Sequence, residues 1–173
     1  MATKYENYIT GDGTIVTGYA NQQIAQTFTP SISHTITSVK VKIYKTGSPG
    51  NGSIAIKATD GSGHPTGSDL ASGTYDWDTI TDSSPGEWIE ITLGDGAPLS
   101  SGIKYAIIMR VPVANEVDWR VDLTGSYAGG KVEYSLNAES SWSAFAAWDF
   151  MFEEWGELIV TDTDNSPFFG CNF

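Results

Sequence analysis

The segment "KATDGSGHPTGSDLASGTYDWD", Lys57 to Asp78, gathers four glycines, four aspartates and a histidine into 22 residues. Asp60, Ser62 and His64 stand at alternate positions, the spacing of the first oxygen ligands in a calcium loop. Such a loop closes with a bidentate Glu at its twelfth position. Ala71 stands there, and Pro65 interrupts the run. A glycine-rich phosphate loop needs a Lys after its last Gly, and none follows. The segment therefore reads first as a hairpin connection with Asp60-Gly61 as its turn. A Ca2+ site using Asp60 or Asp69 with backbone carbonyls is the lesser alternative, and no other cofactor is expected.

Other chemistry is thinly represented. No G-x-S-x-G occurs, and His34 and His64 lie in turn-rich segments with no distinctive partner spacing, as exposed polar loop residues would. Cys171 has no histidine near it in sequence. Glu87 and Glu90, Asp118 and Asp122, and Glu153 and Glu154 are paired carboxylates of the type glycoside hydrolysis uses, but in so acidic a chain such pairs read as solvated faces. Aromatics give a stronger hint. Six Trp and eight Tyr are present, and Tyr75, Trp77, Trp88, Trp119, Trp142 and Trp148 fall at strand ends or beside polar residues. Exposed rings stack on sugars. "DWRVD" sets Trp119 and Arg120 between Asp118 and Asp122, and with Trp77 it is the expected glycan-contact spot. The competing expectation is that these rings fill the core and subunit contacts.

The elements that must position these residues follow a period of two. "SVKVKIYK" places Val39, Val41 and Ile43 on one face; "SIAIKA", "EWIEITL" and "KYAIIMRV" alternate in the same way. Alternation with β-branched and aromatic residues predicts strands. Further strands are expected at 24–29, 70–76, 117–123, 131–136 and 148–155. No amphipathic helix is evident; "SSWSAFAAWDF" suits a short helical turn or an irregular crossing equally well. Turn clusters such as "TGSPGNGS" and "LGDGAPLSSG" punctuate the strands, Gly supplying positive φ and Pro presetting φ. The expectation is an all-β, antiparallel two-sheet β-sandwich, jelly-roll-like, over residues 1–156. Residues 157–173 follow as a C-terminal strand and tail, with "TDTDNSP" as a linker. The apolar tip carries Phe168, Phe169 and Phe173, which dock either onto the chain's own sandwich or, as subunit contacts, onto a neighbour.

Charge and length bound the partners. The chain has 173 residues, with 9 Lys+Arg against 21 Asp+Glu, a formal charge of -12. Such a surface repels nucleic-acid backbones and anionic membranes. No stretch reaches the roughly 18 apolar residues of a membrane span. The N-terminus lacks the apolar region of a secretory signal, and a single cysteine forms no internal disulfide.

"QTFTPSISHTITSVKVKIYKTGSPGNGSIAIKATDGSGHPTGSDLASGT", with "SPGEWIEITL", "PLSSGIKYAIIMR" and "WDFMFEEWG" after it, resembles the choice-of-anchor type R domain from about Gln26 to Gly156. The resemblance implies a jelly-roll-like β-sandwich of surface proteins and phage structural proteins, and it implies no catalytic residues. The expected role is thus non-enzymatic: a phage virion protein, as capsid decoration or elsewhere on the particle surface. It would form a homo-oligomer or bind another virion protein, at the virion surface or outside the cell. The alternative is a carbohydrate-binding or adhesion module.

Overall fold

A computed structural model describes residues 1–112 and 115–159. Among these residues thirteen strands run in chain order: β1 (Thr3–Tyr8), β2 (Thr14–Gly18), β3 (Gln23–Phe28), β4 (His34–Thr46), β5 (Asn51–Thr59), β6 (Pro65–Asp76), β7 (Glu87–Leu99), β8 (Tyr105–Arg110), β9 (Glu116–Asp122), β10 (Val132–Ser135), β11 (Ser143–Phe145), β12 (Asp149–Phe150) and β13 (Phe152–Leu158). One 3-10 turn, Trp77–Thr79, is the only helical element among the described residues.

The strands form two antiparallel sheets. The first, seven-stranded, runs β1-β13-β4-β9-β12, with β2 added beside β9 and β7 beside β4; the second, six-stranded, runs β11-β10-β3-β8-β5-β6. The chain is an all-β, two-sheet sandwich, as the alternation predicts. The inward parity is the expected one: Val39, Val41, Ile43, Ile54, Ile56, Ile91, Leu93, Ile107 and Met109 are all buried in one core. Burying such aliphatic side chains contributes about 1.5–3 kcal/mol each, which is how a chain without disulfides holds the two layers together.

Three strands lie where none was expected. β1 and β2 are short, and they exist because β13 and β9 offer free edges to pair with. β11 comes from "SSWSAFAAWDF", which crosses as strand and turn rather than as helix. The "ELIV" run contributes only Glu157 and Leu158, as the end of β13 opposite Thr35 and His34. The tail residues Phe168, Phe169 and Phe173 lie outside the described residues.

Glycine is required where the layers touch most closely. A Cβ on Gly73 of β6 would collide with the Thr92 carbonyl of β7, and one on Gly52 with the indole of Trp77. Trp77 uses that gap: it is fully buried and its Nε1 donates to the Arg110 carbonyl at 3.4 Å.

Candidate functional site

The expected glycan spot on β9 is closed. Alternation along the strand puts Trp119 with Val117 and Val121 on the core face, while Asp118, Arg120 and Asp122 point the other way. A ring and polar groups on opposite faces of one sheet cannot hold the same ligand. Trp119 is fully buried, stacked on Phe150 at 4.4 Å, and its Nε1 donates to the Met151 carbonyl at 2.8 Å. Asp118 accepts from Thr17 at 2.5 Å. Arg120 donates to the Asp12 carbonyl, where the chain after β1 folds over it. Asp122 accepts from Tyr8 at 2.6 Å and from the Thr124 amide at 2.8 Å. Trp77 is likewise core rather than platform.

The two carboxylates of the calcium reading each have internal partners. Asp60 Oδ1 accepts from the amides of Ser62 (2.8 Å) and His64 (3.0 Å), which holds the β5–β6 turn and lowers the carboxyl below its ordinary range. Asp69 takes two bonds from Arg110, at 2.7 and 2.9 Å. Among the described residues no group of three or more His, Cys, Asp or Glu is placed to hold a metal ion. The hairpin reading of 57–78 holds, with a five-residue turn between β5 and β6. The paired carboxylates separate too. Glu153 and Glu154 point to opposite faces, Glu153 to Lys4 and Glu154 into the interior. Glu87 and Glu90 bind the Thr81 amide and Ser38.

His34 departs from the exposed loop position expected of it, and His64 keeps its turn position but is only partly exposed. His34 opens β4 fully buried, with Tyr5 stacked on it at 3.8 Å. Its Nδ1 donates to the Ile32 carbonyl at 2.8 Å, and Nε2 meets Glu154 Oε1 at 2.6 Å, with both side chains sealed from solvent. Burial pushes the imidazole down, but the Glu154 and Ile32 acceptors outweigh it and hold the ring above its ordinary pKa. Burial raises Glu154 against the pull of His34. His64 is a second such pair: Nδ1 lies 2.7 Å from Oε2 of the buried Glu133, yet the His64 side chain stays 31% exposed.

His64 also lines a concavity of about 430 Å³. One wall is the β5–β6 turn, with Asp60 and His64, and the start of β6, with Thr66. The other is the loop between β10 and β11, with Glu139, Ser140 and Trp142; Lys57 contributes from β5. The strand order carries the walls together, because β10 is separated from β5 only by β3 and β8. The 137–142 loop folds over the outer face of this sheet, where Trp142 packs on Ala25, Ala106 and Ile108.

Glu139 anchors the loop. Lys57 donates to it at 2.6 Å, and Arg110 donates through Nε and, at 3.0 Å, through Nη2. Burial alone would raise its carboxyl, but Arg110 and Lys57 prevail and hold it below the ordinary range. Asp69 is lowered chiefly by its hydrogen bonds to Arg110. The loop backbone is preset as well. Ala138 and Glu139 sit consecutively at φ 53° and 67°, a left-handed conformation that is costly for residues other than glycine. Hydrogen bonds hold them there: Ala138 N to Asn21 O, Glu139 N to Ser135 Oγ, and Ser141 N to Asn137 Oδ1. The sequence marked one wall of this cavity, through Asp60 and His64 of the 57–78 segment, and Trp142 singly on the other, but nothing in it joined the two walls.

Compared with known proteins, the chain matches no family model and no curated protein.

Proposed function

We propose that this chain is a non-enzymatic β-sandwich surface module, in its most specific form a phage virion protein that decorates the head or another part of the particle. The observation that carries the reading is an apolar end of the sandwich. Ile32, Ile103, Leu158 and Ile159 are all exposed there. The loops at 30–33 and 100–103 are tied side by side by bonds from Ser101 to Ser31 and Ser33 and from Gly102 to Pro30. Leu158 lies opposite His34 on the neighbouring strand. Clustered exposed aliphatics on an acidic, otherwise polar protein mark a surface meant to be covered. The chain runs on from this same end into the segment that carries Phe168, Phe169 and Phe173.

The resemblance to the choice-of-anchor type R domain supports the same role. So does the chemistry of the described side chains, where the carboxylates, histidines and arginines discussed above are each engaged by an internal partner. Carbohydrate binding remains the second function of such a module, and the cavity walled by Trp142 favours it. Light scattering tests the assembly role on three proteins: the full chain, a chain ending at Ile159, and Leu158→Lys. The full chain is expected to be an oligomer, or to co-sediment with its particle, and the two variants to lose that. A full chain that is monomeric and ignores particles would sink the reading.

A further inference from the structure

We propose that the cavity between the β5–β6 turn and the 137–142 loop is a binding site for a neutral sugar ring of a larger glycan. It deepens the carbohydrate-binding role of a surface module but does not depend on oligomer formation at the apolar end.

Charge selects the ligand class. Lys57, in the lining, and Arg110, which reaches the lining through Glu139, are matched by Glu139 and Asp69. An anion would have to take Lys57 from Glu139 while facing Asp60. A cation would have to displace Lys57 or Arg110 from the carboxylates. A neutral polyol needs neither, because each hydroxyl both donates and accepts. The wall offers both kinds of partner. Asp60 Oδ2 takes no part in the bonds that hold the turn. Ser140 Oγ is free of described bonds, and its residue is exposed. His64 Nδ1 is engaged by the buried Glu133 and Nε2 has no described partner, so a hydroxyl, which both donates and accepts, can pair with it.

Shape agrees with charge. About 430 Å³ lies in the ~300–1,000 Å³ range of small-molecule sites. Trp142 is anchored on the Ala25, Ala106 and Ile108 patch, and the rest of the indole lines the cavity. That gives the C–H face of a sugar an apolar surface beside polar walls. The left-handed pair Ala138 and Glu139 holds this wall in place before any ligand arrives, and such preset walls reduce the ordering cost of binding.

The test is an NMR titration of the full chain, following the Trp142 indole and the His64 ring. The probes are a panel of neutral mono- and disaccharides (glucose, galactose, mannose, N-acetylglucosamine and their disaccharides), with inorganic phosphate as a parallel probe. At least one sugar is expected to shift both resonances saturably, and phosphate to shift neither. Thr66→Tyr, at an exposed position on the cavity wall, is expected to weaken binding about tenfold or more; its unperturbed core resonances would show that the fold is intact. Trp142→Ala is expected to abolish binding. A panel that leaves both resonances unmoved overturns the proposal. So does phosphate binding in place of sugar, or a Thr66→Tyr protein that binds as the wild type does. Light scattering of the same samples reads the assembly role separately, so the two can fail independently.

Discussion

Two histidine–carboxylate pairs stand in this protein with nearly the same bond. His34 meets Glu154 at 2.6 Å, and His64 meets Glu133 at 2.7 Å. In both the carboxylate is sealed from solvent. The imidazoles differ most: His34 is wholly buried under Tyr5, and His64 keeps a third of its side chain exposed beside the cavity. The first pair has no free edge and joins β4 to β13. The second leaves Nε2 without a described partner on a residue that lines a concavity. The same interaction thus serves as a fastener in one place and as the backing of a site in the other, and what separates the roles is the burial of the ring.

The largest effects belong to the sealed pair. His34→Ala leaves Glu154 as an unpaired buried charge and is expected to cost about 3–5 kcal/mol in denaturant unfolding. Its pH dependence has a defined sign. A histidine raised above its ordinary value of 6.5 contributes stability that is fully present below that value and is lost as pH climbs through the folded value. The raised Glu154 works in the same sense, since the folded pair holds protons that the unfolded chain releases. Wild-type stability is therefore expected to fall as pH rises above about 6.5, and the His34→Ala profile to be flatter there. A wild-type profile that rises over that interval would break the assignment.

Trp119 against Trp142 repeats the contrast with aromatic rings. Trp119→Ala empties a core position and is expected to cost about 3–5 kcal/mol while leaving sugar-induced shifts at the cavity intact wherever the variant folds. Trp142→Ala is expected to do the reverse, with a smaller loss of stability and no binding. Thermal unfolding and the sugar titration, run on both variants, separate the two.

How much of this the sequence disclosed depends on distance along the chain. The aliphatic faces of β4, β5, β7 and β8 were legible because alternation is local. The fate of "DWRVD" was legible in principle: parity puts Trp119 with Val117 and Val121, and Arg120 on the other face, and only the attraction of an aromatic beside an arginine hid it. β1, β2 and β11 were hidden because edge pairing, not their own composition, makes them strands. The cavity was hidden for the same reason on a larger scale. Lys57 and Glu139 are 82 residues apart, and His64 and Glu133 are 69 apart. They meet only because of the order of six strands. Nothing in "LNAES" signals that Ala138 and Glu139 adopt left-handed backbone.

An intermediate effect sharpens the cavity side of the comparison. Arg110→Ala removes the clamp on Asp69 and Glu139, both partly exposed, and is expected to cost about 2 kcal/mol near neutral pH. The two carboxyls are held below their ordinary range, so the stability they carry is present above that range and lost as pH falls through their folded values. The gap between wild type and variant should therefore shrink on acidification below about pH 4. A gap that stays constant into acid would mean that Arg110 acts through packing of its stem rather than through charge.

The smallest expected effect decides whether the comparison stands. His64→Ala removes one partner of a buried carboxylate, as His34→Ala does. But Glu133 keeps Lys131 at 3.4 Å, and water reaches the place the ring vacates, since His64 already borders the cavity. The expected cost is about 1 kcal/mol, a fraction of that for His34→Ala, and the loss should show more in sugar affinity than in the unfolding midpoint. If instead His64→Ala destabilises as much as His34→Ala, both pairs are fasteners and the polar wall of the cavity is a by-product of holding β10 to the β5–β6 turn. If it costs little and leaves sugar binding unchanged, the free imidazole nitrogen is not a ligand contact, and the site's polar recognition falls to Asp60 and Ser140 on either side of it.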